Sequence, residues 1–289
     1  MMLEIDQLRW RRPGSQFEVA VPRMTLMPGI TLLVGRNGAG KSSLLHLLAT
    51  AELPTSGQIL YHGRSIDRDL PAIRASIGFV PTGIELYEDL KTVRLLRYLA
   101  ELKGGAVTGE IDRIIALFRL EPYRNRKIKT LPHGVRQRIA LAQAWIGSPD
   151  YLFLDEPLNA MDSLERLQFI RHLAEYSRDR IVVVSTHELN EWNAWARRIL
   201  WLNDGRPLFY GTTAAWTGQL PLSVWEGITD EAAYAALPHD SVIHVRPEHG
   251  RLAVRMLAAQ APGPGFVRQP PTMEDTYFIR SLSQIRNTG

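Results

Sequence analysis

The feature that most constrains this chain is a glycine-rich stretch, Gly35-Arg36-Asn37-Gly38-Ala39-Gly40-Lys41-Ser42-Ser43, which matches the phosphate-binding pattern G-x-x-x-x-G-K-[ST] in full. Glycines let backbone N–H groups curl around phosphate oxygens, Lys41 adds positive charge toward the β and γ phosphates, and the Ser42 hydroxyl can bind Mg²⁺. The apolar run Ile30 to Val34 predicts a buried strand before it, and Ser42 to Ala49 predicts a helix whose N-terminus faces the anion. An ordinary glycine-rich turn is the alternative, and the flanking strand and helix argue against it.

Composition sets the scale of the fold and leaves the class of ligand open. With 289 residues, 45% of them hydrophobic, the chain can form one large α/β domain and something small beside it. Its net charge of +4 suits anionic ligands or a membrane surface and selects neither. The absence of cysteine excludes disulfides and thiolate metal sites. No apolar run approaches the ~18 residues that cross a bilayer, so we expect a different chain to supply any spanning helices.

A second predicted core strand ends in two carboxylates. The apolar residues Tyr151 to Leu154 lead directly into Asp155 and Glu156. Asp155 can hold a metal ion through water, and Glu156 can polarise an attacking water molecule. A strand that happens to end in a polar turn is the alternative, and the phosphate-binding pattern upstream makes it the weaker one.

A third predicted core strand, Ile181 to Thr186, ends at His187. Ligands of open parallel sheets bind at the carboxyl ends of the strands, so we expect His187 to contact the γ phosphate. A structural histidine is the alternative interpretation. Near the N-terminus, Leu3 to Trp10 and Phe17 to Val21 predict an antiparallel hairpin. The ring of Trp10 is equally a candidate to stack on adenine and a half-buried strand residue.

Two further regions flank this predicted core. Residues 83–147 follow helical periodicity and predict an all-helical insertion between the strand Ile77 to Val80 and the strand that ends in Asp155. From about Trp216 the composition changes, which predicts a small accessory module. We expect a hairpin formed by Ser241 to Arg246 and Arg251 to Met256, a Pro/Gly linker over Ala261 to Gly265, and a helix over Glu274 to Leu282.

Over about residues 3–215 this set of motifs resembles the nucleotide-binding subunit of ABC transporters. The matching segments are Walker A (Gly35 to Ser42), Walker B with the catalytic glutamate (Tyr151 to Glu156), the D-loop (Leu158-Asn159-Ala160-Met161-Asp162) and the switch histidine (Ser185-Thr186-His187). The resemblance implies an α/β fold of the P-loop NTPase type. It would have a RecA-like core, an antiparallel β subdomain, the helical insertion and a small C-terminal α+β extension, with an ATP-binding domain over 1–215 and an accessory module over 216–289.

The resemblance also implies an ATPase that uses ATP and Mg²⁺, with Lys41, Glu156 and His187 as its catalytic residues. Two such subunits close head to tail, and their closure drives a transmembrane permease whose coupling helices would sit near Thr82 to Tyr98. This places the chain in the cytoplasm, on the inner face of the cell membrane. The segment Pro271-Thr272-Met273-Glu274-Asp275-Thr276-Tyr277-Phe278 looks like the P-[ST]-L-E-D-x-F ending common in subunits of small bacterial exporters and efflux systems.

Two motifs depart from the family pattern. The signature L-S-G-G-Q aligns with Leu131-Pro132-His133-Gly134-Val135, in which only Leu131 and Gly134 match. Pro132 removes the serine hydroxyl and a backbone donor, and a lost hydrogen bond to a charged group is worth about 1.5 to 3 kcal/mol. The metal-binding glutamine of the Q-loop is replaced by Thr82, whose hydroxyl can bind water but is too short to reach the metal.

These departures predict a competent ATP-binding face and a weak signature face. A partner subunit with a good signature would then give one active and one weak site, and a homodimer with two slow sites is the competing possibility. A soluble ABC-type ATPase that acts on nucleic acid or ribosomes is disfavoured by the single cassette and the modest charge, and no nucleic-acid partner is expected. A nucleotide-sensing module is disfavoured by Glu156 and His187, which a pure sensor does not need.

Overall fold

We analysed a computed structural model that describes residues 1–105, 108–159 and 161–288. The chain divides into two compact units. The first unit comprises residues 1–187 and 194–210, and the second comprises residues 188–193 and 211–289. Within the described ranges, no helix has both the length and the apolar character that crossing a bilayer requires.

Two sheets form the framework of the first unit. A four-stranded sheet has the order β2-β1-β4-β5, and a six-stranded sheet has the order β10-β9-β3-β8-β7-β6. The strands are β1 (Leu3–Arg11), β2 (Glu18–Leu26), β3 (Gly29–Val34), β4 (Ser56–Tyr61), β5 (Arg64–Ser65), β6 (Ile77–Val80), β7 (Tyr151–Asp155), β8 (Ile181–Ser185), β9 (Ala196–Asn203) and β10 (Arg206–Thr212). The predicted hairpin at the N-terminus is the antiparallel pair of β1 and β2.

The central strands of the larger sheet are parallel and buried over their full length. Every residue of β3, β7 and β8 is buried, which explains why these strands are continuous apolar runs. In the register of the sheet, Ser185 pairs with Leu33 of β3 on one side and with Asp155 of β7 on the other. The carboxyl ends of the three strands therefore meet at one edge, as the sequence predicts.

The described residues of the first unit form six α-helices. They are α1 (Lys41–Leu48), α2 (Ile66–Ala75), α3 (Thr92–Leu102), α4 (Glu110–Leu117), α5 (His133–Ala144) and α6 (Ser163–Tyr176). The predicted helical insertion contains α3, α4 and α5. Its first helix begins at Thr92 and not at residue 83, where the predicted insertion starts. The segment before α3 pairs with another one instead: Ile128 N–H donates to Leu90 O at 3.0 Å and Lys129 N–H donates to Glu88 O at 3.0 Å.

The second unit is a small α+β fold with an antiparallel sheet in the order β12-β13-β11-β14. Its elements are α7 (Thr213–Thr217), β11 (Ser223–Thr229), α8 (Glu231–Ala235), β12 (Val242–Glu248), β13 (Arg251–Ala258), β14 (Val267–Gln269) and α9 (Met273–Thr288). Val224, Leu257 and Ile279 form its hydrophobic core. The sequence predicts β12, β13 and α9 but not β11, whose pattern is interrupted by Gly227. A Cβ atom there would lie 2.8 Å from the Phe266 ring, so close packing requires glycine.

Lys103 connects the helical insertion to the core. It follows α3 directly, and its ammonium donates to the carbonyl oxygens of Ile77 at 2.7 Å and Ile146 at 3.1 Å. Burial lowers the pKa of Lys103 to about 8, and the Glu110 carboxylate opposes this change. One titratable side chain thus joins the end of α3 to the first residue of β6.

The buried position of Lys103 predicts a pH-dependent stability. Between its folded pKa of about 8 and the ordinary value of 10.5, the folded state binds fewer protons than the unfolded state, so stability rises with pH. We expect the free energy of unfolding of the wild type, minus that of Lys103→Met, to increase from pH 8 to 10.5. Urea unfolding of both proteins at several pH values measures this difference, and a difference independent of pH contradicts the prediction.

Candidate nucleotide site

The glycine-rich loop connects β3 to α1 and has the backbone that a phosphate site needs. Gly38 has φ 81° and Gly40 has φ 99°, in the left-handed region that favours glycine. Helix α1 begins at Lys41, so its unpaired N–H groups and the positive end of its dipole lie at the loop. Ser42 is exposed in the first turn of the helix, whereas its neighbours Lys41 and Ser43 are buried.

The turn between β9 and β10 holds this loop in place. Gly205 N–H donates to Ala39 O at 2.8 Å, and Gly205 O accepts from Ala20 N–H at 2.9 Å. A Cβ atom on Gly205 would lie 1.9 Å from Glu18 O, so only glycine permits this approach. Asp204-Gly205 is a typical hairpin-turn pair, but the contact of this turn with the loop is visible only in the structure.

Lys41 is buried at the loop, with 8% of its surface exposed. Its ammonium donates to Gly35 O at 2.8 Å and to Arg36 O at 3.3 Å. Burial lowers the pKa of Lys41, while the charges of Glu156 and Asp155 oppose this shift. The cation and the two carboxylates therefore lie within electrostatic reach of one another.

Ser185 joins the ends of β7 and β8. Its hydroxyl donates to Oδ1 of the buried Asp155 and accepts from the backbone N–H of Glu156 at 3.0 Å. Ser185 thereby fixes the acid expected to hold the metal and the backbone of the acid expected to polarise water. Sequence reasoning included Ser185 in the switch motif but missed this role, because the role depends on the pairing of two distant strands.

Glu156 has a strained backbone and a perturbed side chain. Its φ of 49° is uncommon outside glycine, and such strain is concentrated at functional sites. Burial raises the pKa of the Glu156 carboxyl, against the lowering effects of His187 and Lys41. Nε2 of His187 lies 3.1 Å from Oε1 of Glu156, and the His187 side chain is 53% exposed. The structure thus brings together Lys41, Asp155, Glu156 and His187.

The two aromatic residues of the first hairpin have different surroundings. Trp10 is 8% exposed and packs in the hydrophobic core, which leaves almost no free ring face for adenine. Phe17 instead lies beside the phosphate loop, since a Cβ atom on Gly40 would be 2.7 Å from its ring. The guanidinium of Arg12 lies 5.2 Å from the centre of the Phe17 ring and donates to Ser43 Oγ at 3.4 Å. Phe17 is therefore the better-placed candidate for stacking on adenine, whereas the sequence analysis named only Trp10.

The residues expected at a subunit interface occupy two helix N-termini. Pro132 is the N-cap of α5, which has neither a side-chain cap nor an acidic residue in its first turn. His133 is exposed there, while Leu131 and Val135 are buried. Asp162 caps α6 through a reciprocal capping box with Glu165. The Ala160 position of the D-loop lies outside the described residues.

Thr82 is exposed, two residues beyond the end of β6. Val80 pairs with Leu154 of β7, so Thr82 follows a strand whose carboxyl end lies beside that of the acidic strand. Within the part of the chain that the structure describes, the Thr82 side chain makes no hydrogen bond. Its role as a metal or water ligand therefore stays a prediction.

The phosphate loop lies at a helix N-terminus, and two acids lie at the end of another parallel strand of the same sheet. This combination defines a P-loop nucleotide-hydrolase core. The family model described as ABC transporter matches residues 23–159. Among solved structures, an ATP-binding subunit of an ABC transporter aligns with a TM-score of 0.67 and 23% identity over 75% of this chain and 92% of that chain. A dimeric ATP-binding cassette bound to ADP and Pi aligns with a TM-score of 0.65 and 23% identity, over 73% and 98% of the two chains.

Curated relatives give the same result. Phospholipid-transporting ATPase ABCA3 of Mus musculus is 33% identical over 61% of this chain and 10% of the relative. ABC transporter A family member 1 of Dictyostelium discoideum is 26% identical over 88% of this chain and 29% of the relative. The chain thus spans less than a third of the length of either protein. It contains an ATP-binding domain of the ABC transporter family, an ABC ATPase domain, which confirms the resemblance and the predicted fold class.

The position of Phe17 predicts its contribution to ATP affinity. Stacking of a base on an aromatic side chain is worth about 1 to 3 kcal/mol, so Phe17→Ala should weaken ATP binding about fivefold or more. Trp10→Phe keeps an aromatic ring in the core and should leave the affinity unchanged. Titration of each variant with ATP, after a check of its thermal unfolding, measures both effects. Weaker binding in Trp10→Phe but not in Phe17→Ala would instead favour stacking by Trp10.

Proposed function

We propose that this chain is an ATP-binding subunit that hydrolyses ATP with Mg²⁺ at a dimer interface and thereby drives a transmembrane permease, in an exporter. The observation that carries the proposal is the convergence of Lys41, Glu156 and His187 at one edge of a parallel sheet. Binding alone requires the phosphate loop, but it does not require a half-buried carboxylate 3.1 Å from a histidine.

The metal expected with ATP fits the residues at this edge. Mg²⁺ prefers hard oxygen ligands, and the Ser42 hydroxyl and the Asp155 carboxylate supply them, the latter through water. The hydrogen bond from Ser185 fixes the orientation of Asp155. A bound ion would supply positive charge that neutralises the charge developing on the phosphates.

Glu156 is the residue we assign to the attacking water. Burial raises the pKa of its carboxyl, which makes it a better proton acceptor than an exposed glutamate. His187, 3.1 Å from the same carboxyl, is placed to orient it and to bind the γ phosphate. Lys41 supplies the positive charge on the other side of the phosphates. Each of these groups positions a reactant or stabilises charge that develops during the reaction. Enzymes catalyse phosphoryl transfer mainly by these two effects.

The dimer supplies the other half of the site. In the proposed arrangement, the N-terminus of α5 from one subunit faces the γ phosphate held by the other. Pro132 has no N–H and no hydroxyl, so backbone groups after it carry this interaction, and His133 places a side chain where the family has glycine. The support is that α5 keeps an uncapped N-terminus. We therefore propose a weak signature face and an asymmetric pair of subunits.

The transport step belongs to a permease on which this chain acts. Relatives named phospholipid-transporting ATPases support an amphipathic lipid-like cargo. The proposed contact surface for the permease lies along α3 and the preceding loop, where Tyr87 and Tyr98 are 58% and 42% exposed. Their rings meet edge to face at 5.9 Å, and Leu90 and Arg94 line the same groove. Large exposed aromatic side chains are typical of protein interfaces.

Glu156→Gln tests hydrolysis directly. General-base catalysis contributes about 10²- to 10⁴-fold, so turnover should fall by that order while ATP binding is kept and an ATP-bound dimer accumulates. Phosphate release at saturating ATP and Mg²⁺, together with the sedimentation of the protein, measures both effects. The matched control is Glu52→Gln, at an exposed position after α1. Unchanged turnover in Glu156→Gln would identify the chain as a binding module.

The double substitution Pro132→Ser with His133→Gly tests the weak signature face. Restoring a hydroxyl and a close backbone approach regains about 1.5 to 3 kcal/mol, so turnover by the isolated chain should rise about tenfold or more. Substitution of the exposed Arg246 by Gln, in the second unit, provides the control. Fast, cooperative hydrolysis by the unmodified chain alone would contradict the asymmetric arrangement.

A further inference from the structure

The residues that directly follow His187 belong to the C-terminal unit. Residues 188–193 cluster with residues 211–289, whereas the chain before them belongs to the first unit. Within this segment, Leu189–Trp192 forms a short 3-10 turn in which Leu189 is 3% exposed and Trp192 is fully buried. A buried turn thus begins two residues after His187.

Asn190 and Glu274 hold this turn against the start of α9 by reciprocal hydrogen bonds. The Asn190 side-chain amide donates to Glu274 Oε2 at 2.9 Å, and the Asn190 backbone N–H donates to Glu274 Oε1 at 3.4 Å. In return, Glu274 N–H donates to Asn190 Oδ1 at 3.4 Å. Burial raises the pKa of the Glu274 carboxyl, whereas the Asn190 backbone N–H lowers it.

The start of α9 is itself firmly fixed. Thr272 and Asp275 cap the helix reciprocally: Thr272 N–H donates to Asp275 Oδ2 at 2.8 Å, and Asp275 N–H donates to Thr272 Oγ1 at 3.1 Å. Arg255 of β13 donates to the buried Asp275 at 2.6 Å. The indole N–H of Trp216 donates to Met273 O at 3.2 Å. Glu274 is therefore presented by a rigid element of the module.

We propose that Asn190 and Glu274 are positioning residues for His187, through which the C-terminal module sets the rate of ATP hydrolysis. Only Glu188 and Leu189 separate His187 from Asn190, and a chain of three residues reaches at most about 10 Å. The hydrogen bonds of Asn190 to Glu274 therefore restrain the short segment that leads out of His187. The proposal rests on the role of His187 in the proposed hydrolysis. It gives a physical function to Glu274, in the tail segment Pro271 to Phe278.

The competing explanation for Glu274 is simple helix stabilisation. A carboxylate in the first turn of a helix interacts favourably with the helix dipole. In that case, loss of its charge would lower the thermal stability of the module and leave turnover by the folded protein unchanged. The positioning role predicts a lower kcat for the folded protein and its recovery when a second substitution at Asn190 is added. Helix stabilisation predicts an unchanged kcat for the folded protein.

The test is a double-substitution cycle in the full-length chain. Asn190→Asp places a carboxylate against Glu274, and we expect kcat for ATP to fall about fivefold to tenfold, while the affinity for ATP stays unchanged because Lys41 and the phosphate loop are intact. Adding Glu274→Gln supplies an amide that can donate to the new carboxylate, so the double variant should recover most of the wild-type kcat. Glu231→Gln, at the exposed start of α8, is the matched charge control.

Thermal unfolding of each variant separates folding from positioning. If Asn190→Asp does not fold, Asn190→Ala removes the side-chain bonds without introducing repulsion and should lower kcat in the same direction. A kcat equal to that of the wild type in folded single variants overturns the proposal, as does a fall that the double variant does not reverse. Glu156→Gln in the same assay distinguishes failure of the proposed hydrolysis from failure of the positioning role. If Glu156→Gln abolishes turnover while the Asn190 variants do not change it, the proposed hydrolysis stands and the positioning role fails.

Discussion

The hydrogen bonds of Ser185 fix the positions of the two acidic residues in the candidate nucleotide site. Ser185 is the last residue of β8, it is fully buried, and its one hydroxyl both donates to Asp155 and accepts from the amide of Glu156. Loss of such a buried, charge-assisted bond leaves polar groups without partners in a low-dielectric environment, which is costly. Because the same strand leads into His187, the pairing of β7 with β8 places Asp155, Glu156 and His187 at one edge of the sheet.

The parts of the site that are predictable from sequence are those that are determined locally. The glycine-rich loop can be predicted because left-handed backbone at Gly38 and Gly40 favours glycine, and the acidic strand end can be predicted because a buried parallel strand is a continuous apolar run. The position of Phe17 could not be predicted in this way. Which aromatic residue of a hairpin borders the loop depends on how the hairpin packs against another sheet. From the sequence alone, Trp10 fits a position in the core as well as a position beside the loop.

Long-range contacts account for the other differences between expectation and structure. The segment before α3 has helical periodicity, yet its carbonyls accept from residues 128 and 129, far along the chain. Similarly, residues 188–193 follow a core strand in sequence but belong to the C-terminal unit. Tertiary hydrogen bonds override local propensity in the first case. In the second, the buried Trp192 and the bonds of Asn190 to α9 determine the assignment, and neither is encoded in a local pattern.

The phosphate loop and the proposed catalytic residues all lie in the first unit, and the second unit begins with the residue after His187. The phosphate loop, Lys41 and Phe17 lie in the first unit and are held by contacts within it, such as the bond from Gly205 to Ala39. The loop that carries His187, in contrast, is fixed at its far end by α9. An interaction that changes kcat without changing substrate affinity acts on the transition state alone. The proposed restraint of His187 by Asn190 and Glu274 would therefore change turnover at constant ATP occupancy.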